Sequence, residues 1–248
     1  MIDMFEKLNK LYLKQRFFPN LVSILINPFY FNRKALLNSL KHSAKEVKGD
    51  LLDFGCGAKP YKSLFENTLS YVGVDIENDS HNHTNEEIDY YYNGETLPFE
   101  NEAFDIVFSS EVLEHVPNLH KSLAEIKRVV KDNGLILMTL PFSFSEHEMP
   151  HDYRRFTTNG VVEILDEFGF EIVNKKSYGT YIEVIFQLII LYIHDFIYTR
   201  NKYFNILLNI IFIFPFTLLG IIFSKIMPNN KSLYFGTFIL AKKKSLKL

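Results

Sequence analysis

The 248-residue chain has no tryptophan and a single cysteine, Cys56. One cysteine excludes an intrachain disulfide and a thiolate metal cluster, which favours a cytosol-facing protein. It also has no excess of either charge: 27 lysines and arginines stand against 29 acids, a net charge of −2. That balance argues against a general nucleic-acid binder, whose footprint is basic. Repeats and low-complexity stretches are absent. No secretory signal is expected either, because Met1–Arg16 mixes charged with apolar residues and Leu21–Ile26 is too short and too late for an h-region. Aromatics, by contrast, are abundant: 24 phenylalanines and 14 tyrosines, with much of the excess after residue 180.

What is present is organised around Leu51-Leu52-Asp53-Phe54-Gly55-Cys56-Gly57-Ala58-Lys59-Pro60-Tyr61. An apolar run carrying one acid and breaking into Gly-x-Gly reads as a buried strand entering a tight turn. Ahead of it, helices are expected over Asp3–Phe17 and Pro28–Glu46. After it come a short helix at Tyr61–Glu66, a strand at Ser70–Val74 ending on Asp75-Ile76, and a polar loop with His81 and His83, read as exposed loop histidines. Further strands are expected at Ile88–Tyr92, Phe104–Ser109, Leu135–Leu140, Phe170–Lys175 and Leu233–Ala241. Helices fall at Leu119–Lys131, apolar at 119, 123, 126, 129 and 130, and at Thr157–Phe168.

Strands alternating with helices imply a parallel sheet with helices on both faces. Ligands then sit beyond the carboxyl ends of the strands. Asp53, Gly55, Asp75, Asn93, Glu111 and Pro141 all fall at such ends.

In these residues the chain resembles class I S-adenosylmethionine-dependent methyltransferases. Leu51–Gly57 looks like their first motif and Tyr71–Asp75 like their acidic second strand. Leu97-Pro98-Phe99 with Phe104–Val107, and Gly134–Pro141, look like the later blocks. The resemblance implies an α/β, Rossmann-like seven-stranded sheet with an apolar helical insert between its last two strands. It also implies S-adenosyl-L-methionine as cofactor. The expected cofactor residues are Asp53 for the amino group, Gly55, Cys56 and Gly57 beneath the methionine part, and Asp75 with Ile76 at the ribose. Asn93 stands where relatives have an adenine-contacting aspartate, and Ser110 and Glu111 complete the set. The domain plan is 1–47 for the N-terminal helices, 48–181 with 232–248 for the methyltransferase domain, and 182–231 for the insert.

Two constellations are candidates for the acceptor side. Glu111-x-x-Glu114-His115, on a helical turn, together with His151, would suit one divalent cation. Similar segments occur in metal-dependent small-RNA 2′-O-methyltransferases, whereas metal-free relatives carry Leu-Glu-His here. The second is His147–Thr157, which resembles Pro-His-Asp-x-x-Arg-x-Thr stretches of bacterial surface-polysaccharide methyltransferases. His151 or His147 would be the base, with Asp152 to orient it, Tyr153 beside it, and Arg154 and Arg155 for an acceptor phosphate or carboxylate. Thr157 would cap the next helix.

Ile182–Tyr198 and Tyr203–Ser224 are unusually apolar, and the second is long enough to span a hydrocarbon core. Because a last strand must rejoin the sheet, a single crossing is excluded. A two-crossing hairpin, a re-entrant dip, a helical pair on the membrane surface and a soluble dimer interface are the alternatives; a dip or surface pair is expected, with Lys242, Lys243, Lys244 and Lys247 adding attraction to anionic lipid. The resulting expectation is a cytoplasmic enzyme, peripheral or monotopic at the inner face of the cell membrane. It would O-methylate a sugar or lipid-linked glycan in cell-surface polysaccharide biosynthesis. A quinone or other small-lipid O-methyltransferase, and a non-catalytic cofactor-binding membrane subunit, are the alternatives.

Overall fold

The computed structural model describes residues 15–76 and 87–245. Most of the expected first helix, the pair His81 and His83, and Lys247 lie outside the described residues. Seven strands, β1 (Gly49–Phe54), β2 (Thr68–Ile76), β3 (Tyr90–Tyr92), β4 (Phe104–Ser110), β5 (Val130–Pro141), β6 (Phe170–Tyr178) and β7 (Gly236–Lys243), form one sheet in the order β3-β2-β1-β4-β5-β7-β6. The helices are α1 (Ser23–Ile26), α2 (Tyr30–Glu46), α3 (Leu119–Val129), α4 (Thr158–Glu167), α5 (Tyr181–Ile197), α6 (Lys202–Leu208) and α7 (Phe214–Ile226).

The central strands are apolar without alternation because both of their faces are covered. Leu51, Leu52 and Phe54 of β1, and Ile106, Val107 and Phe108 of β4, are all buried. In α3 the stripe Leu119, Leu123, Ile126 and Val129 is buried, as the helical spacing requires. The side chain of Asn118 caps that helix by accepting from the Lys121 N–H, and Thr157 caps α4 by accepting from Gly160. Strand β1 pairs parallel with β2 and β4, and β4 with β5. These strands therefore present their carboxyl ends along one edge.

Three local expectations are corrected. The sheet is mixed: β7 runs antiparallel to β5, with Leu137 opposite Leu240. The expected helix at Tyr61–Glu66 is a single 3-10 turn, Lys62–Leu64. Tyr61 and Phe65 both fold onto Phe108, and the chain turns back to β2 at once. The expected helix Leu119–Lys131 ends at Val129, and Val130 already opens β5, in which Asn133 takes a φ of +60° and the pairing with β4 shifts register.

The described chain divides into two units. The sheet unit comprises 39–142, 146–177 and 236–245; the other comprises 15–38, 143–145 and 178–235. In the second unit α5 and α7 form a hairpin. The Tyr181 N–H at the start of α5 donates to the Asn230 carbonyl beyond the end of α7, at 2.9 Å. Phe186 and Phe223 stack between them at 5.8 Å. Gly220 permits the close crossing, since a Cβ there would come within 2.6 Å of the Phe31 ring and 2.9 Å of Phe186.

Several polar side chains of this apolar unit find partners within it, as a low-dielectric setting demands. Buried Gln187 donates to the Pro28 carbonyl at 2.6 Å and accepts from Asn32 N–H. Asn209 donates to the Ile26 carbonyl, and Asn205 exchanges bonds with Thr199. Asn209 opens the π-helical segment Asn209–Ile213, and Pro215 follows at the start of α7, where its missing N–H is tolerated. Asn205, Asn209 and Pro215 therefore leave one apolar helix, Tyr203–Ile226, of 24 residues and mean hydropathy 2.6. Only 22% of its most apolar window is buried, unlike a helix in a soluble core. Leu207, Ile211, Phe212, Leu219 and Ile226 are exposed along it, and Tyr192 and Phe196 on α5.

Candidate functional site

The carboxyl edge of the sheet collects the acids that the strand pattern placed there. Asp53 lies near the end of β1, Asp75 near the end of β2, Asn93 just after β3, and Glu111 just after β4. Between the first two, the chain turns through Gly55 (φ +72°) and Gly57 (φ +44°). Gly55 also meets the β4 loop: a Cβ on it would lie 2.4 Å from a Val112 methyl. Both conditions require glycine.

The turn is held from below by backbone bonds. Gly55 and Cys56 N–H groups donate to the Val74 carbonyl, and Gly57 N–H donates to Asp75 Oδ2 at 2.7 Å. Asp75 Oδ1 accepts from Ile76 N–H, also at 2.7 Å. Asn93 is used differently from the expectation. Its Oδ1 accepts from the Glu95 and Thr96 N–H groups at 3.0 and 3.1 Å, closing a turn, so the amide N–H₂ is the end left for a ligand.

Asp53 is buried, and the Tyr71 hydroxyl donates to it. Burial raises its carboxyl to about 7; the Tyr71 hydrogen bond opposes that rise and the charge of Asp75 adds to it. Burial likewise pushes the Cys56 thiol up, with Asp53 adding to the effect, so Cys56 is a packing residue and not a nucleophile. Sequence reasoning missed Asp89. Its Oδ2 accepts from Gly73 N–H and from Lys59 Nζ, both at 2.6 Å, and so pins the Lys59 side chain over the turn. Burial pushes the Asp89 carboxyl up, but those two donors outweigh it and hold it below the usual range. Read as part of an expected strand, Ile88–Tyr92, Asp89 gave no signal of this.

The acceptor side is assembled by backbone ties. Tyr153 N–H donates to the Glu114 carbonyl and Phe156 N–H to that of Pro141, so the loop after β5 folds onto the loop after β4. Arg154 donates to the Val116 and Pro117 carbonyls, and Arg155 grips Asp152 with both guanidinium nitrogens. Both arginines thus hold the loop. Arg155 also holds the Asp152 carboxyl at about 2. Asp152 accepts from the His147 N–H at 2.9 Å, and its Oδ2 lies 3.3 Å from His147 Nδ1. His151 pairs its Nδ1 with the Tyr153 hydroxyl at 3.0 Å. Ser110 bonds Thr139 across the strand ends.

The expected metal set is not brought together. Glu111 takes φ +57°, off the helical turn, and although its charge acts on Glu114 it is not among the ligand-type atoms that cluster there. The His151 ring is turned to Tyr153. Among the described residues, the ligand-type atoms that lie within 4.8 Å of one another come from Glu114, His115 and His147.

On the lysines expected to meet lipid, Lys243 is buried, donates to the Val130 carbonyl and pairs with Asp132 and Glu102. Lys244 pairs with Asp166. Lys243 is thus occupied inside the sheet unit, while Lys244 stays exposed.

Residues 52–138 match the family described as "Methyltransferase domain". An uncharacterised protein of Methanocaldococcus jannaschii is 38% identical over 100 residues, which is 39% of this chain and 39% of that protein. The chain therefore spans about two fifths of the length of that relative. Phthiotriol/phenolphthiotriol dimycocerosates methyltransferase 1 of Mycobacterium ulcerans is 32% identical over 98 residues, 36% of either chain. Among solved structures, a SAM-dependent methyltransferase of Thermotoga maritima, described as a possible histamine N-methyltransferase, superposes with a TM-score of 0.53 at 16% identity. The match covers 98% of this chain and 100% of that one. Residues 52–138 thus match a methyltransferase domain, and the fold is that of class I methyltransferases.

Proposed function

We propose that this chain transfers a methyl group from S-adenosylmethionine to a hydroxyl of an apolar or lipid-linked acceptor at a membrane surface. The observation that carries the reading is the carboxyl-edge cradle: a glycine turn closed against Val112, flanked by Asp53, Asp75 and Glu111. The fit to the cofactor is one of charge. A ligand with a sulfonium and an ammonium group suits an edge lined by acids. Asp53 would face the ammonium, Asp75 the ribose diol, Ile76 and the Asn93 amide the adenine, and Gly55, Cys56 and Gly57 the methionine chain, with Ser110 and Glu111 closing the far side. When bound, the cofactor supplies an electrophilic methyl group.

The chain supplies alignment and a proton acceptor. His147 is turned to Asp152 and lies against the His115 ring, at 4.8 Å between centroids. His151 is therefore the base. Its Nδ1 is fixed by Tyr153, which leaves Nε2 to take the acceptor proton. The closed cradle speaks for a working enzyme over a non-catalytic subunit.

The acceptor class follows from the apolar unit. A 24-residue apolar helix with most of its surface exposed needs an apolar partner, and its hairpin mate α5 carries exposed aromatics of the kind found at membrane interfaces. The chain leaves β6 and returns to β7 of the same sheet, so the hairpin dips into or lies on one face. The Mycobacterium ulcerans relative, a methyltransferase of dimycocerosates, is in keeping with a lipid acceptor. A glycan on a lipid carrier fits the same surface. Replacing His151 by alanine is expected to leave cofactor affinity within about twofold of wild type and to lower turnover about 10²–10⁴-fold, as loss of a general base does. Isothermal titration and a methyl-release assay on the same preparation check this. Full turnover in that variant removes His151 as the base.

A further inference from the structure

We infer that Glu114, His115 and His147 form a binding site for one divalent transition-metal ion, Zn²⁺ by preference. The inference starts from Glu114, which is fully buried yet has no hydrogen bond to either carboxyl oxygen. Burial, followed by the charge of Glu111, raises its pKa well above the usual range, against the easing charge of Arg155. Buried carboxyls are normally hydrogen-bonded, so this one lacks a partner.

The missing partner has a definite place. His115 Nε2 lies 3.7 Å from Glu114 Oε1 and 3.7 Å from Glu148 Oε2. Its Nδ1 is 2.9 Å from the His151 carbonyl. A carbonyl only accepts, so the proton is on Nδ1 and the lone pair of Nε2 faces the carboxylates. His147 is oriented from behind in the same manner. Its Nδ1 faces Asp152, itself gripped by Arg155, and a ligand-type atom of its ring lies within 4.8 Å of those of Glu114 and His115. Histidines that bind metal are commonly backed in this way by a carbonyl or a carboxylate.

Two imidazoles and one carboxylate are the donor set of open zinc sites and of other first-row transition metals; magnesium and calcium prefer oxygen alone. The set differs from the one expected from sequence, since His147 takes the place of Glu111 and His151. The site is independent of the methyl-transfer reading. If that reading also holds, the cation would lower the pKa of a bound acceptor hydroxyl beside His151.

The test is metal content, not turnover. The full-length protein is stripped with chelator, incubated with Zn²⁺ or Co²⁺, passed through a desalting column and assayed by mass spectrometry. One equivalent is expected in the wild type, with Co²⁺ giving the visible absorption of a nitrogen-and-oxygen site. Glu114→Gln and His147→Gln are expected to lose the equivalent, and Asp152→Asn to weaken binding about 10–100-fold. Circular dichroism shows which variants are folded, and His115→Gln replaces any that is not. No stoichiometric metal in the wild type overturns the proposal. So does metal that survives Glu114→Gln in a folded protein, or metal lost only when His81 and His83 are exchanged.

Discussion

Replacing Gly55 by alanine is expected to abolish cofactor binding while leaving the sheet folded. Two costs act at this one position. A φ of +72° is left-handed, and an added Cβ there costs about 1–2 kcal/mol. The same Cβ would lie 2.4 and 2.5 Å from the two Val112 methyls, and such overpacking costs roughly 1–3 kcal/mol more. Relief comes when the turn moves off Val112, which breaks the bonds from Gly55 and Cys56 to Val74 and opens the cradle. Titration calorimetry with S-adenosylmethionine should show at least a thirtyfold loss, about 2 kcal/mol. A second substitution, Val112→Ala, removes the clashing methyls but not the backbone strain, and should restore part of the affinity. Unchanged affinity in Gly55→Ala alone would mean that the turn is not the cradle.

The second large effect is a pH dependence centred on Asp53. Its folded pKa of about 7 lies above the 3.8 of an exposed aspartate because of burial. A raised acid binds more protons in the folded than in the unfolded state between those two values. Its contribution to folding is therefore fully present below pH 4 and lost as the pH rises towards 7, on the order of 4 kcal/mol over the window. Cofactor binding should run in the opposite direction. A cationic ligand favours the ionised form, so below pH 7 binding has to release the proton, and affinity should fall up to about tenfold per pH unit. Above pH 7 the dependence from this group should level off. Asp53→Asn keeps the Tyr71 contact and removes the titration. Calorimetry between pH 5.5 and 8 should thus show a slope in the wild type and none in the variant, and equal slopes in both would remove Asp53 from the cofactor site.

The sheet was readable in advance because buried strands need long apolar runs and each run here is cut by a turn residue. Leu51–Phe54, Phe104–Ser110 and Leu135–Pro141 show this plainly. The antiparallel course of β7 was less accessible, since direction depends on where the chain re-enters the sheet, and the apolar insert conceals that. On the cofactor side, the acids at strand ends were identifiable from period and position. The use of Asn93 to close its own turn was not, because the same side chain can face a ligand or the backbone. On the acceptor side, a spacing argument put Glu111 beside Glu114 on the assumption of helical dihedrals. The left-handed Glu111 breaks that assumption. His147 joins Glu114 instead, through the Tyr153–Glu114 and Phe156–Pro141 backbone bonds between segments far apart in sequence. For Arg154 and Arg155, composition shows two guanidinium groups but not the carbonyls and carboxylate that they hold.

The central claim is methyl transfer from the carboxyl-edge cradle to a membrane-borne acceptor. It is tested most directly by incubating the wild-type protein with methyl-labelled S-adenosylmethionine and native membranes, then partitioning the products between organic and aqueous phases. The account expects label in the organic phase, abolished by Gly55→Ala. Label confined to the aqueous phase would contradict the membrane acceptor. No label in either phase, from a protein that binds the cofactor, would contradict the enzyme itself.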